Sequence, residues 1–242
     1  MYLFVRDGRE YLLSPGETLE SDLGILEVPE DVAPGDVVET HLGEAFEVRD
    51  LRGPDLFAHF ERTGAPMMPR DIGLIMGHTG ACEGDRVLDA GTGTGVLSAY
   101  LARAGAEVVT YERNPEFADV ARSNMDLAGI GDRVEVRVGD VTDDLDADPD
   151  DLGTFDLLTL DTEDAPRVIR RAHELVVPGG YVTAYVPFVE GTRAAVEAAR
   201  EAGLEDIETY ETLQREMDFD SRGSRPSTAG VGHTGYLLFA RA

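Results

Sequence analysis

The sequence predicts an α/β fold with a mainly parallel sheet, preceded by a small β domain. From Pro69 onward, apolar runs typical of strands alternate with segments typical of helices, a pattern that places helices on both faces of a parallel sheet. Before about residue 60 the apolar runs are short and are separated by turn sequences such as Asp7-Gly8 and Ala33-Pro34-Gly35-Asp36. We therefore divide the chain into a small N-terminal β domain, residues 1–60, and a larger α/β domain, residues 61–242.

The individual elements follow from the same reading of apolar runs and turns. In the β domain we expect strands over residues 2–6, 9–13, 24–28 and 37–40. In the α/β domain we expect strands over residues 86–90, 107–111, 133–138, 155–160, 180–186, 207–214 and 236–241. The predicted helices cover residues 95–104, 114–128, 165–176 and 191–202. The aspartate-rich stretch 143–153 is predicted to be a solvated loop.

The charge balance is extreme. The chain has 48 acidic and 21 basic residues, a net charge of −27, and every basic residue is an arginine. Such an excess of one sign repels itself unless salt screens it, and the Debye length falls to about 3 Å at 1 M salt. The acids are dispersed among apolar residues, which argues against a disordered acidic protein. We interpret the composition as adaptation to a very salty cytoplasm, as in halophilic archaea, and this makes net charge a poor guide to nucleic-acid binding.

Composition also limits the class of protein. No apolar run approaches the ~20 residues of a membrane span, so no membrane partner is expected. The N-terminus lacks the basic start and long apolar region of a signal peptide, which predicts a cytoplasmic protein. The single cysteine, Cys82, excludes an internal disulfide and a multi-cysteine metal site, and no metal is expected.

A glycine-rich segment joins the strand over 86–90 to the helix that follows. Glycines at alternate positions let the backbone turn tightly and approach a ligand, and the helix N-terminus presents free N–H groups to it. A dinucleotide loop would carry a third glycine where Val96 stands, and a P-loop would need a lysine. A purely structural turn is the alternative, but we interpret the segment as an S-adenosylmethionine (SAM) loop. Its predicted cofactor-binding residues are Asp89, Gly91, Thr92, Gly93 and Gly95.

Two further acids end the next two predicted strands. Glu112 lies 21 residues after Gly91 (112 − 91), close to the ~20 at which an acid meets ribose hydroxyls in related folds. Asp140 follows the third strand, where it could reach an adenine amino group. Each acid alone could be an ordinary polar residue at a strand end. Because ligands of open α/β sheets bind at this edge, the set supports the SAM interpretation.

Asp161 ends the apolar fourth strand at the same edge. It could cap the following helix, since aspartate is a good N-cap, or it could be catalytic. Asp164 can provide the cap, so we favour the catalytic role. SAM carries an electrophilic methyl group, and the protein must mainly align a nucleophile and stabilise charge. If a ring nitrogen of adenine is the nucleophile, a carboxylate beside the exocyclic amine stabilises the positive charge that develops on the base.

The chain resembles the tRNA (adenine-N1)-methyltransferases that act on the T-loop, over most of its length. Its C-terminal His233-Thr234-Gly235-Tyr236-Leu237 element is the most specific match. The segments that occur in the family's order are 52–54, 69–73, 87–95, 111–112, 160–161, 178–181, 211–215, 225–226 and 232–237. The fold implied is a Rossmann-like class I SAM-dependent methyltransferase domain with a small N-terminal β domain.

The resemblance implies an enzyme that forms 1-methyladenosine at tRNA position 58, and in archaeal members also at position 57. It further implies a homotetramer, with Asp161 as the catalytic carboxylate. Candidate substrate-binding residues are Met68, Arg225 and His233. The sequence departs from the family around Met68 and over residues 162–166, where the family's aromatic residue is missing. Two alternatives stay open: a protein methyltransferase of the isoaspartyl type, and a catalytically silent SAM-fold subunit that binds tRNA for a partner.

Overall fold

The computed structural model describes residues 1–144, 152–230 and 232–242, so most of the stretch predicted to be an acidic loop lies outside the described residues. The N-terminal elements are β1 (Tyr2–Arg6), β2 (Arg9–Leu13), β3 (Thr18–Ser21), β4 (Gly24–Glu27), β5 (Val37–Glu39), β6 (Ala45–Arg49) and α1 (Gly53–His59). The central elements are α2 (Pro69–Thr79), β7 (Arg86–Ala90), α3 (Val96–Arg103), β8 (Glu107–Glu112), α4 (Pro115–Leu127), β9 (Val134–Val138), α5 (Val141–Asp144) and β10 (Phe155–Leu160). The remaining elements are α6 (Ala165–Ile169), α7 (Ala172–Leu175), β11 (Val176–Val186), α8 (Val189–Glu201), β12 (Glu205–Glu211), β13 (Met217–Asp220), β14 (Gly223–Pro226) and β15 (Tyr236–Arg241).

The N-terminal strands form an antiparallel unit with its own core. One sheet has the strand order β2-β1-β6-β5, and β3 pairs with β4 in a separate hairpin. Phe4, Leu26 and Phe46 are fully buried between them. After β6, the side chains of Leu56 and Phe60 belong to the core of the large sheet instead. The domain boundary at residue 60 stays a prediction.

The large sheet has seven strands in the order β12-β15-β11-β10-β7-β8-β9. The five strands from β11 to β9 are parallel, and β15 runs antiparallel to both of its neighbours. The chain builds outward from β7 through β8 to β9, and then returns to place β10 on the other side of β7. The order therefore reverses between β7 and β10, and the crevice at the carboxyl ends of these two strands is where open α/β sheets bind ligands.

Helices cover both faces of this sheet, as the alternation of strands and helices predicts. Side chains of α1 to α4 pack on one face with Val87 and Leu157, and side chains of α6 to α8 pack on the other with Leu88 and Leu158. Successive residues of a strand point to opposite faces, so these strands read as continuous apolar runs. None of the helices in the described part of the chain has the length and apolar character needed to cross a membrane.

The structure departs from the predicted elements in a few places. The helix expected over 165–176 is two short helices, α6 and α7, because the apolar spacing of Ala165, Val168, Ala172 and Leu175 continues across the break and conceals it. Strands β3 and β6, helices α1, α2 and α5, and the hairpin β13–β14 were not predicted. The hairpin is exposed along most of its length, so it has no alternating apolar pattern to reveal it. The other boundaries agree to within four residues.

Candidate active site

The glycine segment leaves the carboxyl end of β7 and crosses the crevice. Gly91, Gly93 and Gly95 have φ angles of +103°, +51° and +81°, a region that favours glycine over residues with a Cβ atom. The N–H groups of Gly91 and Thr92 both donate to the carbonyl oxygen of Tyr111, at 3.0 and 3.2 Å, which ties the segment to β8. Gly95 then serves as the N-cap of α3. The local backbone is a turn that favours glycine at all three positions.

The first glycine also brings the predicted catalytic acid against the loop. A Cβ atom on Gly91 would lie 2.1 Å from the carbonyl oxygen of Asp161, far inside contact distance. The N–H of Asp161 donates to the carbonyl oxygen of Ala90 at 2.8 Å, which continues the pairing of β7 with β10. Asp164, not Asp161, occupies the N-cap position of α6, although without a side-chain capping bond. The side chain of Asp161 is therefore available to the crevice.

Asp89 lies beneath the loop and is only 2% exposed. The hydroxyl of Thr159 donates to its Oδ1 atom at 2.6 Å, and those of Thr110 and Ser98 donate to Oδ2 at 2.7 and 3.1 Å. Burial raises the pKa of this carboxyl, while the three hydroxyl hydrogen bonds oppose the rise. Three chain segments are thus held together around one carboxyl group below the cavity.

Glu112, at the end of β8, braces the glycine loop from the side. Its Oε2 atom accepts from the N–H of Gly93 at 3.0 Å, and its Oε1 atom accepts from the N–H of Asn114 at 2.9 Å. A carboxylate oxygen has two lone pairs, so each oxygen can accept a further hydrogen bond from a ligand hydroxyl. Glu112 lines the cavity, which fits the expected position of a ribose-binding acid.

Asp140 lies between the cavity residues Gly139 and Val141 but does not line the cavity, and its carboxylate is engaged by protein partners. Its Oδ1 atom accepts from the N–H and the hydroxyl of Thr142, at 2.8 and 2.7 Å, and its Oδ2 atom lies 3.0 Å from Nε of Arg113. Burial raises the pKa of Asp140, but the hydrogen bonds of Thr142 and the charge of Arg113 outweigh it, so the pKa is lowered. Arg113 also pairs with Glu163 and Asp164 after β10, which joins three strand ends.

The cavity itself occupies about 330 Å³ between these strand ends. This volume is within the range of pockets that hold small molecules, roughly 300–1,000 Å³. Asp161 is exposed to the solvent of the cavity, but its carboxyl group lies in the recess near Asp89. Desolvation there, together with the charge of Asp89, raises the pKa of Asp161 to about 7. The residues that line the cavity are Thr63, Gly64, Ala65, Pro66, Met67, Asp89, Ala90, Gly91, Thr92, Gly93, Thr94, Gly95, Val96, Leu97, Tyr111, Glu112, Arg113, Phe117, Gly139, Val141, Asp161 and Thr162.

The cavity is lined by the predicted catalytic residue Asp161 and by every predicted cofactor residue except Asp140, but by none of the three predicted substrate residues. Met68 is the N-cap of α2, next to the cavity residue Met67, and is not among the lining residues. Arg225 lies on the β13–β14 hairpin, 3.8 Å from Asp218. His233 lies outside the cavity as well. Its ring atoms Nδ1 and Nε2 contact Glu211 at 2.7 Å and the carbonyl oxygen of Pro187 at 3.1 Å.

Both partners of His233 are hydrogen-bond acceptors. The carbonyl oxygen of Pro187 and the carboxylate of Glu211 together require two ring N–H donors, which only the protonated imidazole provides. In agreement, the hydrogen bond to Pro187 and the contact with Glu211 raise the pKa of His233. These contacts give His233 a structural explanation that does not depend on the reaction.

Two features that border the site were not predicted from the sequence. Residues 63–67 form one wall of the cavity, and their sequence has no recognisable pattern that could have revealed this. A buried polar group also joins α2 to the C-terminal element. Arg70 donates to the hydroxyl of Thr234 at 3.0 Å, and that hydroxyl donates to Asp71 at 2.9 Å. Asp71 and Thr234 both lie within the motifs that carry the family resemblance. Those motifs were the only feature of the sequence that could have pointed to this contact.

Comparison with known proteins defines the class first. A family model described as a methyltransferase domain matches residues 87–180, which contain the glycine loop and Asp161. A SAM-dependent O-methyltransferase from Thermotoga maritima superposes with a TM-score of 0.81 at 28% identity, covering 99% of this chain and 91% of that one. The glycine cradle, Glu112 and the cavity between them fit the same cofactor. The chain has the Rossmann-like fold of SAM-dependent methyltransferases, and its cofactor is S-adenosylmethionine.

The full-length similarity then gives the particular family. The curated tRNA (adenine(57)-N(1)/adenine(58)-N(1))-methyltransferase TrmI of Methanocaldococcus jannaschii is 34% identical over 97% of this chain and 92% of its own length. The crystal structure of the tRNA (m1A58) methyltransferase TrmI from Aquifex aeolicus has a TM-score of 0.75 and 26% identity, covering 100% of this chain and 96% of that one. The chain belongs to the TrmI family of tRNA (adenine-N1)-methyltransferases.

Proposed function

We propose that this protein transfers the methyl group of SAM to N1 of adenine 57, adenine 58 or both in the T-loop of tRNA. The observation that carries the proposal is the similarity to a TrmI enzyme over 97% of the chain, including both the N-terminal β strands and the C-terminal element. The site supports the same reaction, because a carboxylate that is not a capping residue faces the cavity beside the glycine loop.

The cofactor-binding roles are proposed residue by residue. Gly91, Thr92, Gly93 and Gly95 provide a backbone cradle, and Glu112 has free lone pairs to accept the ribose hydroxyls. Asp89 acts from below, where its carboxyl group holds the strand ends in place through three hydroxyls. Asp140 is proposed for the adenine end. To accept from an amino group it has to use lone pairs that Thr142 and Arg113 leave available.

Asp161 is proposed to be the catalytic carboxylate. Bound SAM supplies an electrophilic methyl group. N1 of adenine attacks through a neutral lone pair, so the base gains a positive charge that is shared with its exocyclic amine. The carboxylate of Asp161 accepts a hydrogen bond from that amine and stabilises the developing charge, an interaction that strengthens towards the transition state.

The substrate residues are proposed with different roles. Met68 precedes the helix that carries Arg70 and Asp71, where its polarizable sulfur can pack on a base. Arg225 is proposed to contact a tRNA phosphate, which requires it to exchange the long ion pair with Asp218 for the ligand. His233 is proposed to hold the C-terminal element near the target base through its contacts with Glu211 and Pro187.

We further propose a homotetramer that acts in the cytoplasm, where tRNA is modified. Three large apolar side chains are candidates for subunit contacts, because they are widely exposed: Phe188 is 71% exposed, Leu213 is 71% exposed and Phe219, on the β13–β14 hairpin, is 76% exposed. Exposed apolar side chains are enriched at protein interfaces when they form a contiguous patch. Light scattering coupled to size exclusion in high salt measures the assembly, and a monomer at micromolar concentration contradicts this proposal.

The decisive experiment is methylation of an unmodified tRNA transcript by purified protein in high salt. We expect 1-methyladenosine in the nucleoside digest by mass spectrometry and a reverse-transcription stop at position 57 or 58. Transcripts with guanine at 57, at 58 or at both positions serve as matched controls and identify the modified base.

Each alternative predicts a different result. A silent tRNA-binding subunit binds SAM and tRNA but leaves adenine unmodified. An isoaspartyl-type enzyme or an O-methyltransferase methylates a peptide carboxyl group or a small hydroxylated molecule and not the transcript. Absence of 1-methyladenosine with SAM bound therefore rejects the proposed function.

A further inference from the structure

One buried amide in the interior of a helix joins two walls of the cofactor cavity. Asn124, on α4, is 2% exposed. Its Oδ1 atom accepts from the N–H of Glu61 at 3.0 Å, and its Nδ2 atom donates to the carbonyl oxygens of Glu61 at 3.0 Å and Thr94 at 2.9 Å. Glu61 begins the 61–67 segment, whose residues 63–67 line the cavity. Thr94 lies in the glycine loop on the opposite side of the contact.

The hydrogen-bond inventory fixes the orientation of this amide. Two carbonyl oxygens need donors and one N–H needs an acceptor, and the amide group supplies two donors and one acceptor. A flipped amide would direct its oxygen at two carbonyl oxygens, so the orientation is unambiguous. Weaker contacts follow the same path, since the N–H of Thr63 lies 3.5 Å from the hydroxyl of Thr94.

Asparagine is a costly choice at this position. It is a poor helix former, and the other buried residues of α4 are Ala118, Ala121 and Met125. An apolar side chain would suit this face of the helix, but it would leave the backbone groups of Glu61 and Thr94 buried without these partners. Removing one partner of a buried hydrogen bond costs more than the bond contributes. The presence of asparagine at position 124 is therefore explained by its hydrogen bonds to the backbone of Glu61 and Thr94.

We propose that Asn124 is a positioning residue for SAM, which fastens the 61–67 segment to the glycine loop and so assembles the wall of the cavity before the cofactor arrives. The segment has no strand or helix of its own to fix it. A preorganised wall reduces the ordering cost of binding. This proposal rests on the proposed cofactor use, and it predicts that Asn124 affects SAM affinity more than it affects turnover.

The test compares Asn124→Ala and Asn124→Asp with the wild-type protein. Hydrogen exchange of the ligand-free proteins is measured on the peptide that contains residues 61–67, because the amide of Glu61 is protected by the Asn124 side chain itself. We expect faster exchange in both variants. Calorimetry with SAM alone should give a dissociation constant raised about 10-fold or more, while kcat at saturating SAM falls less than 3-fold.

The aspartate variant supplies a readout that general destabilisation would not alter. Its carboxylate faces two carbonyl oxygens, and protonation restores one donor. Lowering the pH from about 8 to about 5.5 should therefore improve SAM binding to Asn124→Asp relative to Asn124→Ala, each normalised to wild type. Ala118→Gly, on the buried face of the same helix, is the matched control. It should lower Tm without changing exchange of the 61–67 peptide or SAM affinity.

The outcomes separate this inference from the proposed function. If wild-type protein binds no SAM, the proposed function fails. If wild-type protein binds SAM and both Asn124 variants bind it within 2-fold of wild type, the positioning role is wrong. If affinity falls equally in Ala118→Gly, the amide is only a structural part of α4, and the inference is likewise overturned.

Discussion

Two carboxyl groups at the switch point have opposite surroundings. Asp89 is enclosed by three hydroxyl donors, whereas Asp161 is exposed to the cavity, where its carboxyl group is partly desolvated and lies near the charge of Asp89. Both effects disfavour the charged form of Asp161 and raise its pKa to about 7. The carboxylate form of Asp161, which the proposed reaction requires, therefore predominates only above about pH 7.

Replacement of Asp161 tests its catalytic role directly. Asp161→Asn keeps the shape of the side chain but can no longer provide a full negative charge beside the exocyclic amine. We expect kcat to fall by about 10²–10³-fold, the usual loss for one transition-state hydrogen bond. SAM affinity, measured by calorimetry, should change by less than about 3-fold. Unchanged formation of 1-methyladenosine would remove Asp161 from the mechanism.

The same substitution has a pH-dependent effect on stability. Because the folded-state pKa of Asp161 lies above its unfolded value of 3.8, folding favours the protonated carboxyl. Its stabilising contribution is fully present below pH 3.8 and is lost as the pH rises through about 7. We expect Asp161→Asn to raise Tm of the ligand-free protein more at pH 8 than at pH 5. An equal change in Tm at both values would contradict the raised pKa.

At the scale of elements, the end of β7 meets the end of β10 at a single glycine. Gly91 combines φ of +103° with a Cβ position 2.1 Å from the backbone of Asp161, whereas Gly93 has φ of +51° and its nearest neighbour is 3.8 Å away. The structure therefore requires glycine at these two positions for different reasons. Gly91 permits contact between two strands, and Gly93 permits a turn that faces the cavity.

These geometries predict unequal effects of alanine. Gly91→Ala should displace the chain at Asp161, destabilise the fold by roughly 3 kcal/mol or more and abolish methylation. Gly93→Ala should cost only about 1 kcal/mol, the strain of a left-handed residue without a clash. Denaturant unfolding measures both free energies. Equal losses for the two variants would show that the approach to Asp161 does not matter.

Most central elements could be predicted from sequence because buried parallel strands are continuous apolar runs with sharp ends. The strands Arg86–Ala90 and Phe155–Leu160 have the predicted bounds, and the acids at strand ends pointed to the cavity. Other features could not be predicted. The wall at residues 63–67 carries no periodicity, and the contact of Asn124 with Glu61 spans 63 positions. Such contacts depend on tertiary packing, which local patterns do not encode.

For the whole molecule, the most unusual physical property is the net charge of −27. Twelve of the arginines form ion pairs with acids in the described residues, but the acids are more than twice as numerous. Many acids on the surface therefore have no basic partner, and at low ionic strength their mutual repulsion is not screened. The halophilic character predicted from composition stays a prediction, and it is one that stability measurements can test.

Salt should stabilise the fold. Raising KCl from about 0.1 M to about 2 M shortens the Debye length from about 10 Å to below 3 Å and screens the repulsion. We expect Tm to increase by 10 °C or more, with most of the increase at the lower concentrations where screening changes fastest. A Tm that is independent of KCl, or that falls, would reject the halophilic interpretation.

An acidic protein that binds tRNA must concentrate its phosphate contacts on a few cations. Arg215 lines a polar cleft with Pro226 and Ser227 and makes no ion pair with the described part of the chain, whereas Arg222 pairs with Asp220 at 2.6 Å. We expect Arg215→Ala to weaken tRNA binding and to reduce the slope of log Kd against log salt by about 0.7–0.9. Arg222→Ala is the matched control and should leave that slope unchanged. Equal slopes for wild type and Arg215→Ala would exclude this contact.

The position of β15 in the large sheet has a consequence for the order of assembly. β15 follows β12 in the sequence but lies between β11 and β12, so β12 has no partner strand until β15 has been synthesised. The strands β7 to β10, which carry the whole glycine loop, can pair with one another before β15 has been synthesised. A chain emerging from the ribosome can therefore form its cofactor cavity first. The contact of Thr234 with α2 comes last, so newly made protein acquires the cofactor side of its site before the side proposed to meet tRNA.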